Sequence, residues 1–340
     1  MNMSPIISKN YYFKAPFKVS LRRETISNIP SGHYLINLEA CGLCHSDLLW
    51  IAHRAKNWEK IGHEFGGEII TCGNNTSKFR EGQRVAIKNA AQCGACEKCM
   101  KGNYRNCKDI IVNKSGFDQF FLADERSIID AEGLDASLLG LVEPLGVAND
   151  VVDSADIRPG DCVAIFGVGS IGLMAGWLCI QKGASVVIGI ARHSGRFALA
   201  KEFGFTACFE SQSANCEKSV EKVTGGLCEK ILVCAPPQCL TNAIKLLHPE
   251  GLIVVGGLNE GGWDIHTPFN FETLIFKRAS IRGAFAYPNL YFEPAIDQLR
   301  NYGTVLGRII SHVEPLSKLQ HILRQVNSTP HTHLKTVLVP

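Results

Sequence analysis

Cys93, Cys96, Cys99 and Cys107 fall within a single fifteen-residue stretch, separated by two, two and seven residues. Four thiolates at this spacing can surround a zinc ion tetrahedrally and leave no open position, which is the arrangement of a structural site. Without a metal, the same thiols would sit beside Gly94, Lys98, Lys101 and Gly102 in a loop open to oxidation. The chain has 14 cysteines, a number that would suggest a disulfide framework in a secreted protein. The clustered spacing favours metal binding in a reducing compartment instead, with the remaining thiols as small buried hydrophobes.

A length of 340 residues exceeds one ordinary core and predicts two domains. Hydrophobic residues make up 46 % and charged residues 20 %, a balance that excludes a disordered or fibrous chain. The formal charge is +3, and its basic residues are scattered rather than grouped, so no nucleic-acid or membrane-surface partner is expected. Lys9, Lys14, Lys18, Arg22 and Arg23 are not separated by an apolar run of signal-peptide length. The expected location is cytoplasmic. Residues 162–180 are uncharged and long enough for a membrane span. They divide, however, into a β-branched run ending at Gly167 and a helical pattern closed by Lys182 and Gly183, which is how a buried parallel strand and its crossover helix read.

From Tyr12 to about Ala148, short apolar runs are broken by turn residues such as Ser31-Gly32, Gly73-Asn74-Asn75 and Glu81-Gly82, predicting a β-rich lobe. After Gly160 the pattern becomes strand, glycine turn and helix: strands over 162–166 and 186–190, helices over 170–182 and 195–203. Further strands are expected at 230–234 and 252–255, with a helix over 239–247. Repeated βα units predict a doubly wound parallel sheet. The alternation is read as ending around 278–285. Helices near 293–301 and 316–326 and a strand over 335–339 follow, and that terminal strand needs a sheet to join, which the first lobe can supply.

Two further groups of residues carry chemistry. In Cys44-His45-Ser46-Asp47, followed later by Gly62-His63-Glu64, a thiolate, an imidazole and a carboxylate form a mixed set suited to a catalytic zinc with an open position. In Val163-Ala164-Ile165-Phe166-Gly167-Val168-Gly169-Ser170-Ile171-Gly172, a glycine motif follows a strand and opens a helix. In that context the backbone can approach a pyrophosphate whose charge the helix N-terminus stabilises.

Taken together, these residues resemble the zinc-containing medium-chain dehydrogenases, and within them the sorbitol dehydrogenase-like polyol branch. The likeness covers nearly the whole chain. Besides the motifs above it is carried by Gly67, Gly73, Phe79-x-x-Gly82-x-Arg84-Val85, Leu141-Val142-Glu143-Pro144-Leu145 and Gly283-x-Phe285-x-Tyr287. It implies an α/β protein in which a GroES-like β-rich catalytic domain, 1–148 and 283–340, clasps a Rossmann domain, 149–282. It also implies two zinc ions per chain, a small alcohol or ketone substrate of polyol, sugar or cyclitol type, and assembly as a homodimer or homotetramer.

The resemblance further assigns roles. Ser46 is the first proton acceptor from the alcohol, and Asp47 orients the zinc ligands. Glu143, in the Glu-Pro-Leu segment of the polyol branch, belongs to the catalytic zinc site, either touching the metal or holding its water. Trp50, Phe285 and Tyr287 line the substrate pocket. The chain departs from the pattern at Leu49, where many members carry a proton-relaying His; His45, His53 or a water on Glu143 are the alternatives. The segment 48–61 is shorter than usual and lacks a proline. Ala286 replaces an Arg that reaches substrate hydroxyls, which points away from sorbitol itself. A threonine-type amino-alcohol dehydrogenase, an aldehyde reductase and a non-catalytic dinucleotide-binding protein are the competing readings.

Cofactor choice has its own signal. NAD-using Rossmann domains place an Asp or Glu about twenty residues past the glycine motif, on the ribose hydroxyls. Here the strand runs into Ala191-Arg192-His193-Ser194-Gly195-Arg196. No carboxylate stands in that segment, while Arg192 and Arg196 offer guanidinium donors for a phosphate. The arrangement resembles NADP(H)-using members of the polyol branch, so NADP(H) is expected over NAD(H).

Overall fold

The computed structural model describes residues 4–258, 266–329 and 332–340. The chain divides into two compact units, one of Met1–Gly146 with Tyr287–Pro340 and the other of Val147–Ala286.

The first unit opens with an antiparallel pair, β1 (Ile6–Lys14) and β2 (Lys18–Ile26). Strand β3 (His33–Leu43) leads through Cys44 into a short helix α1 (His45–Leu49). Antiparallel pairing then joins β3 to β4 (Glu64–Cys72), β4 to β5 (Arg84–Ile87), and β5 to a later strand at Ile128–Asp130. A two-residue ladder, β6 (Ala90–Ala91) with β7 (Ile111–Val112), flanks the four-cysteine loop and its single helical turn α2 (Glu97–Met100). Strand β8 (Phe120–Asp124) pairs with β3, and the strand Ile128–Asp130 is β9. The strands bury Tyr34, Ile36, Leu38, Phe65 and Phe121 in one core, where the rings of Phe65 and Phe121 meet edge to face at 5.0 Å. Helix α3 (Leu139–Ser154) follows, with Pro144 inside it; the Pro nitrogen has no proton for the carbonyl of Gly140.

In the second unit, six parallel strands form one sheet. They are β10 (Cys162–Phe166), β11 (Val186–Ala191), β12 (Ala207–Glu210), β13 (Cys228–Val233), β14 (Leu247–Val255) and β15 (Ser280–Gly283), in the order β12-β11-β10-β13-β14-β15. This is the doubly wound Rossmann order, whose ligand crevice lies outside the carboxyl ends of the strands. β10 is buried throughout, as an all-apolar run in a two-sided sheet must be. Helix α4 (Ser170–Gln181) buries Gly172 to Cys179 without interruption, so the uncharged stretch 162–180 is a strand and its crossover helix. No helix among the described residues is long and apolar enough to cross a membrane.

The sheet differs from the sequence expectation at its far edge. The alternation read as ending near 278 continues for one more strand, β15, whose residues are all exposed. Three polar or small residues, Ser280, Arg282 and Gly283, around a single Ile281 carry no burial signal. β12 was likewise too short and too mixed, Ala-Cys-Phe-Glu, to stand out.

The tail returns to the first unit. Helix α5 (Phe292–Leu306) precedes β16 (Ile310–Pro315), helix α6 (Leu319–Ser328) and β17 (Lys335–Val339). β17 pairs in parallel with β16 and antiparallel with β3, the sheet that the terminal strand required. Leu319, Ile322 and Leu323, at i, i+3 and i+4, face the β-rich core, and burying each such side chain contributes about 1.5–3 kcal/mol.

Candidate functional site

The antiparallel pair β3 and β4 brings its chemistry to one end. Glu64 begins β4 opposite Gly42, and a Cβ on Gly42 would lie 2.2 Å from Glu64 Oε2, so only glycine leaves room for that carboxylate. Cys44 stands where β3 turns into α1, and its backbone N–H donates to Asp47 Oδ2 at 3.2 Å. Asp47 Oδ1 lies 3.1 Å from His63 Nδ1. Burial alone would drive the proton off His63, but the Asp47 carboxylate and Cys44 outweigh it and hold the imidazole well above its ordinary pKa. Because Nδ1 pairs with Asp47, Nε2 is the ring nitrogen that would serve as a ligand once it has given up its proton. Ser46 Oγ donates to Cys44 Sγ at 3.1 Å.

Ligand atoms of Cys44, His63 and Glu64 all lie within 4.8 Å of one another. A soft thiolate, an imidazole and a carboxylate brought this close fit a zinc ion and leave a fourth position for another ligand.

Glu143 lies outside this three-donor group but borders it. Its Oε1 accepts from Asn89 Nδ2 at 3.0 Å and its backbone carbonyl from Asn289 Nδ2 at 3.1 Å. Burial pushes its carboxyl up to about 7, against the pull of His63. On the other side, Lys335 of β17 contacts both Glu64 oxygens. Burial would lower the ammonium's pKa, yet Glu64 more than compensates.

The four-cysteine loop closes on itself. Sγ separations are 3.6 Å for Cys96 and Cys99, 3.9 Å for Cys93 and Cys99, and 3.9 Å for Cys96 and Cys107. A tetrahedron with Zn–S bonds of about 2.3 Å has edges of about 3.8 Å, so the loop is already the size of the ion. Backbone N–H groups of Ala95 and Cys96 point at Cys93 Sγ. Those of Lys108 and Cys99 lower the Cys96 thiol to about 6, favouring the thiolate that metal binding needs.

In the second unit, Gly167 has φ of +97°, and a Cβ there would meet Ala235 at 2.9 Å. A Cβ on Gly172 would fall 1.8 Å from the Gly167 carbonyl oxygen. The middle glycine is different. From Gly169, at the N-cap of α4, the nearest neighbour to a Cβ is Arg196 Nη1, 3.8 Å away. An open backbone surface followed by Ser170 and Ile171 at a helix start, with a guanidinium beside it, fits a dinucleotide pyrophosphate. Ala191 ends β11 opposite Glu210 of β12, and Arg192 is exposed. Glu210 Oε1 accepts from Ser194 N at 3.0 Å.

The expected pocket aromatics have unlike surroundings. Trp50 packs half-buried against the β-rich core, its Nε1 buried with no hydrogen-bond partner among the described residues, in a π-helical turn Trp50–Arg54. Phe285 is 60 % and Tyr287 37 % exposed. His45 and His53 are both exposed.

Asn89, Asn289, Glu210 and Lys335 fall outside every motif. Only Lys335 has a sequence signal, a lone charge heading the apolar strand Lys-Thr-Val-Leu-Val.

Comparison with known proteins agrees with this arrangement. The alcohol dehydrogenase GroES-like domain matches residues 30–133 and the zinc-binding dehydrogenase domain residues 170–301. A sorbitol dehydrogenase from Halalkalibacterium halodurans is 26 % identical over 327 residues, covering 92 % of this chain and 93 % of its own. An L-threonine 3-dehydrogenase from Bacillus velezensis is 26 % identical over 320 residues, covering 89 % and 91 %. The crystal structure of L-idonate 5-dehydrogenase from Escherichia coli shares the fold with a TM-score of 0.87 at 23 % identity, covering 100 % of both chains. With both domains matched and relatives aligned along nearly its full length, the chain belongs to the zinc-containing medium-chain alcohol and polyol dehydrogenase family.

Proposed function

We propose that the protein is a zinc-dependent oxidoreductase that moves a hydride between a nicotinamide dinucleotide and a secondary alcohol or ketone of a polyol, sugar or cyclitol. The observation that carries this reading is the convergence of Cys44, His63 and Glu64 ligand atoms within 4.8 Å beside Ser46, Asp47 and Glu143. When bound, zinc supplies Lewis-acid polarisation of the substrate oxygen, and the nicotinamide supplies or accepts the hydride.

The chain's own residues do the rest. Asp47 holds the His63 ring in place through Nδ1. Ser46 Oγ, now donating to Cys44, is the hydroxyl that takes the alcohol proton and passes it on. With Leu49 where a relaying His would stand, Glu143 is the next acceptor: a carboxyl raised to about 7 exchanges protons near neutral pH. The exposed His45 remains a route to solvent. Trp50 Nε1, buried with no hydrogen-bond partner among the described residues, is the donor that this reading offers to a substrate oxygen.

The reading includes two zinc ions per chain, the second held by Cys93, Cys96, Cys99 and Cys107, and NADP(H) as the favoured cofactor through Ala191 and Arg192, with Arg196 beside Gly169 on the pyrophosphate side. A four-cysteine metal site needs reduced thiols, which supports a cytoplasmic setting. A homodimer or homotetramer is supported by β15, the last strand of its sheet, where Ile281 lies exposed, and by exposed Phe271, Ile275 and Phe276 of the helix Phe271–Lys277. An edge unpaired among the described residues, beside an apolar helix face, is a template for a second copy.

Spectrophotometric screening of polyols, ketoses and threonine with both nicotinamide cofactors tests the reading. Turnover of a polyol or ketose supports it. Turnover of threonine alone transfers the chain to the amino-alcohol class, and no turnover with any alcohol or ketone overturns it.

A further inference from the structure

The amide of Asn89 has only one possible orientation. Its Oδ1 accepts the backbone N–H of Ala90 at 2.8 Å, so Nδ2 is the atom turned to Glu143, donating to Oε1 at 3.0 Å. The backbone around it is pinned as well. The Asn89 carbonyl accepts from Asn113 N at 2.9 Å, Asn113 Nδ2 donates to the Lys88 carbonyl at 2.7 Å, and Ala90 pairs with Val112 in the small ladder beside the cysteine loop. At the other end of the same residue, Asn289 Nδ2 donates to the Glu143 carbonyl at 3.1 Å. Glu143 is therefore held through both its backbone and its side chain, and its carboxylate lies outside the group formed by Cys44, His63 and Glu64.

We infer that Asn89 is a positioning residue that keeps the Glu143 carboxylate out of the metal's coordination shell. A buried anion beside a divalent cation is drawn strongly toward it, and a carboxylate free to rotate would take the open position that the substrate needs. The Asn89 amide opposes that rotation through a hydrogen bond to a charged group. Glu143 then stays available as a proton acceptor near the substrate. This rests on the proposed function only in taking Cys44, His63 and Glu64 as metal donors.

The test uses the full-length protein with zinc kept in the four-cysteine loop and cobalt(II) exchanged into the other site. The visible cobalt spectrum reports coordination directly and does not depend on turnover. Asn89→Leu removes the donor at similar volume. Its expected effects are an altered d–d band pattern and a fall in kcat of about tenfold or more, the scale seen when a partner of a metal-site group is lost, with KM little changed. Asn89→Gln, which keeps an amide, should recover most of both losses. In a Glu143→Gln background, Asn89→Leu should leave the cobalt spectrum where Glu143→Gln alone puts it. An Asn89→Leu spectrum identical to that of the unmodified protein overturns the inference. Should that variant fail to fold, Asn89→Ala carries the same comparison. A cobalt spectrum in the unmodified protein that does not respond to Cys44→Ser instead overturns the metal reading, and the two failures are thereby distinct.

Discussion

Lys335 Nζ lies 2.7 and 2.6 Å from the two carboxylate oxygens of Glu64, and both side chains are buried. The contact spans 271 residues of sequence. It ties the last strand of the chain to a donor of the candidate zinc site, so the tail's return to the β3 sheet completes the site's charge balance as well as the fold. Where no metal occupies the Cys44, His63 and Glu64 site, Lys335→Met leaves a buried carboxylate without its partner, which costs about 3–5 kcal/mol. Urea unfolding should show the lowered midpoint, and Lys335→Arg, which keeps the charge, should lose much less. An unchanged midpoint for Lys335→Met would mean that the pair contributes nothing.

The two cysteine sets should respond differently to the same substitution. Cys44→Ser is expected to give a folded, inactive protein with one metal ion fewer. Cys93→Ser or Cys107→Ser should lower stability or soluble yield, because a closed structural site contributes folding energy. Metal analysis of the purified variants, alongside thermal denaturation and activity, separates the two roles. Full activity in Cys44→Ser would remove that residue from catalysis.

Glu143→Gln keeps the hydrogen-bonding shape of the side chain but loses its proton affinity. Turnover should fall by about 10²-fold or more, the usual contribution of a positioned acid or base, while the zinc of the four-cysteine loop stays bound. A rate equal to that of the unmodified protein would make Glu143 a scaffold residue.

Much of this is legible in the sequence, and for identifiable reasons. The four-cysteine spacing, the glycine motif after β10 and the Cys44, His63 and Glu64 set are local patterns whose chemistry requires those residue types. What escaped was non-local. Asn89 and Glu143 are 54 residues apart, and no periodicity links an asparagine after β5 to a glutamate in α3. Glu210 escaped because the acidic position of a Rossmann domain is sought at the end of the second strand, whereas this carboxylate comes from the third. β15 escaped because an edge strand needs no apolar face.

A polar cluster away from the site makes a pH prediction. Asp118 is buried and receives an ion pair from Lys60 at 2.9 Å, and Lys60 also reaches Glu24. Burial raises the Asp118 carboxyl to about 6 despite Lys60. A folded-state pKa above the unfolded value means that the folded chain binds this proton more tightly. That stabilisation is complete below about pH 4 and is lost as pH rises through 6. Asp118→Asn cannot ionise, so its stability relative to the unmodified protein should improve between about pH 4 and 7, by roughly 2–3 kcal/mol for a shift of two pKa units. Urea midpoints at several pH values read the difference. A pH-independent difference would show that Asp118 ionises as freely in the folded protein as in the unfolded chain.

The proposed preference for NADP(H) rests on the residues around the end of β11, and their separate contributions can be tested. Ala191 removes the carboxylate that would repel a 2′-phosphate. Glu210, directly across from it in β12, could restore that repulsion, but its Oε1 accepts the Ser194 N–H. The hydrogen bond uses part of the negative charge to hold the turn between Arg192 and Arg196. Arg196 points its Nη1 to within 3.8 Å of a Cβ position on Gly169, on the pyrophosphate side that both cofactors share. Arg192, exposed beyond Ala191, is left as the group that can distinguish a 2′-phosphate from a hydroxyl. Arg196→Ala should therefore raise KM for NADP(H) and NAD(H) alike, whereas Arg192→Ile should raise it for NADP(H) alone. Losing one charge-assisted contact of about 1.5–3 kcal/mol corresponds to roughly ten- to a hundredfold in kcat/KM. Ala191→Asp combined with Arg192→Ile should shift preference to NAD(H). Steady-state kinetics with both cofactors decides the matter, and a higher kcat/KM for NAD(H) in the unmodified protein would show the assignment wrong.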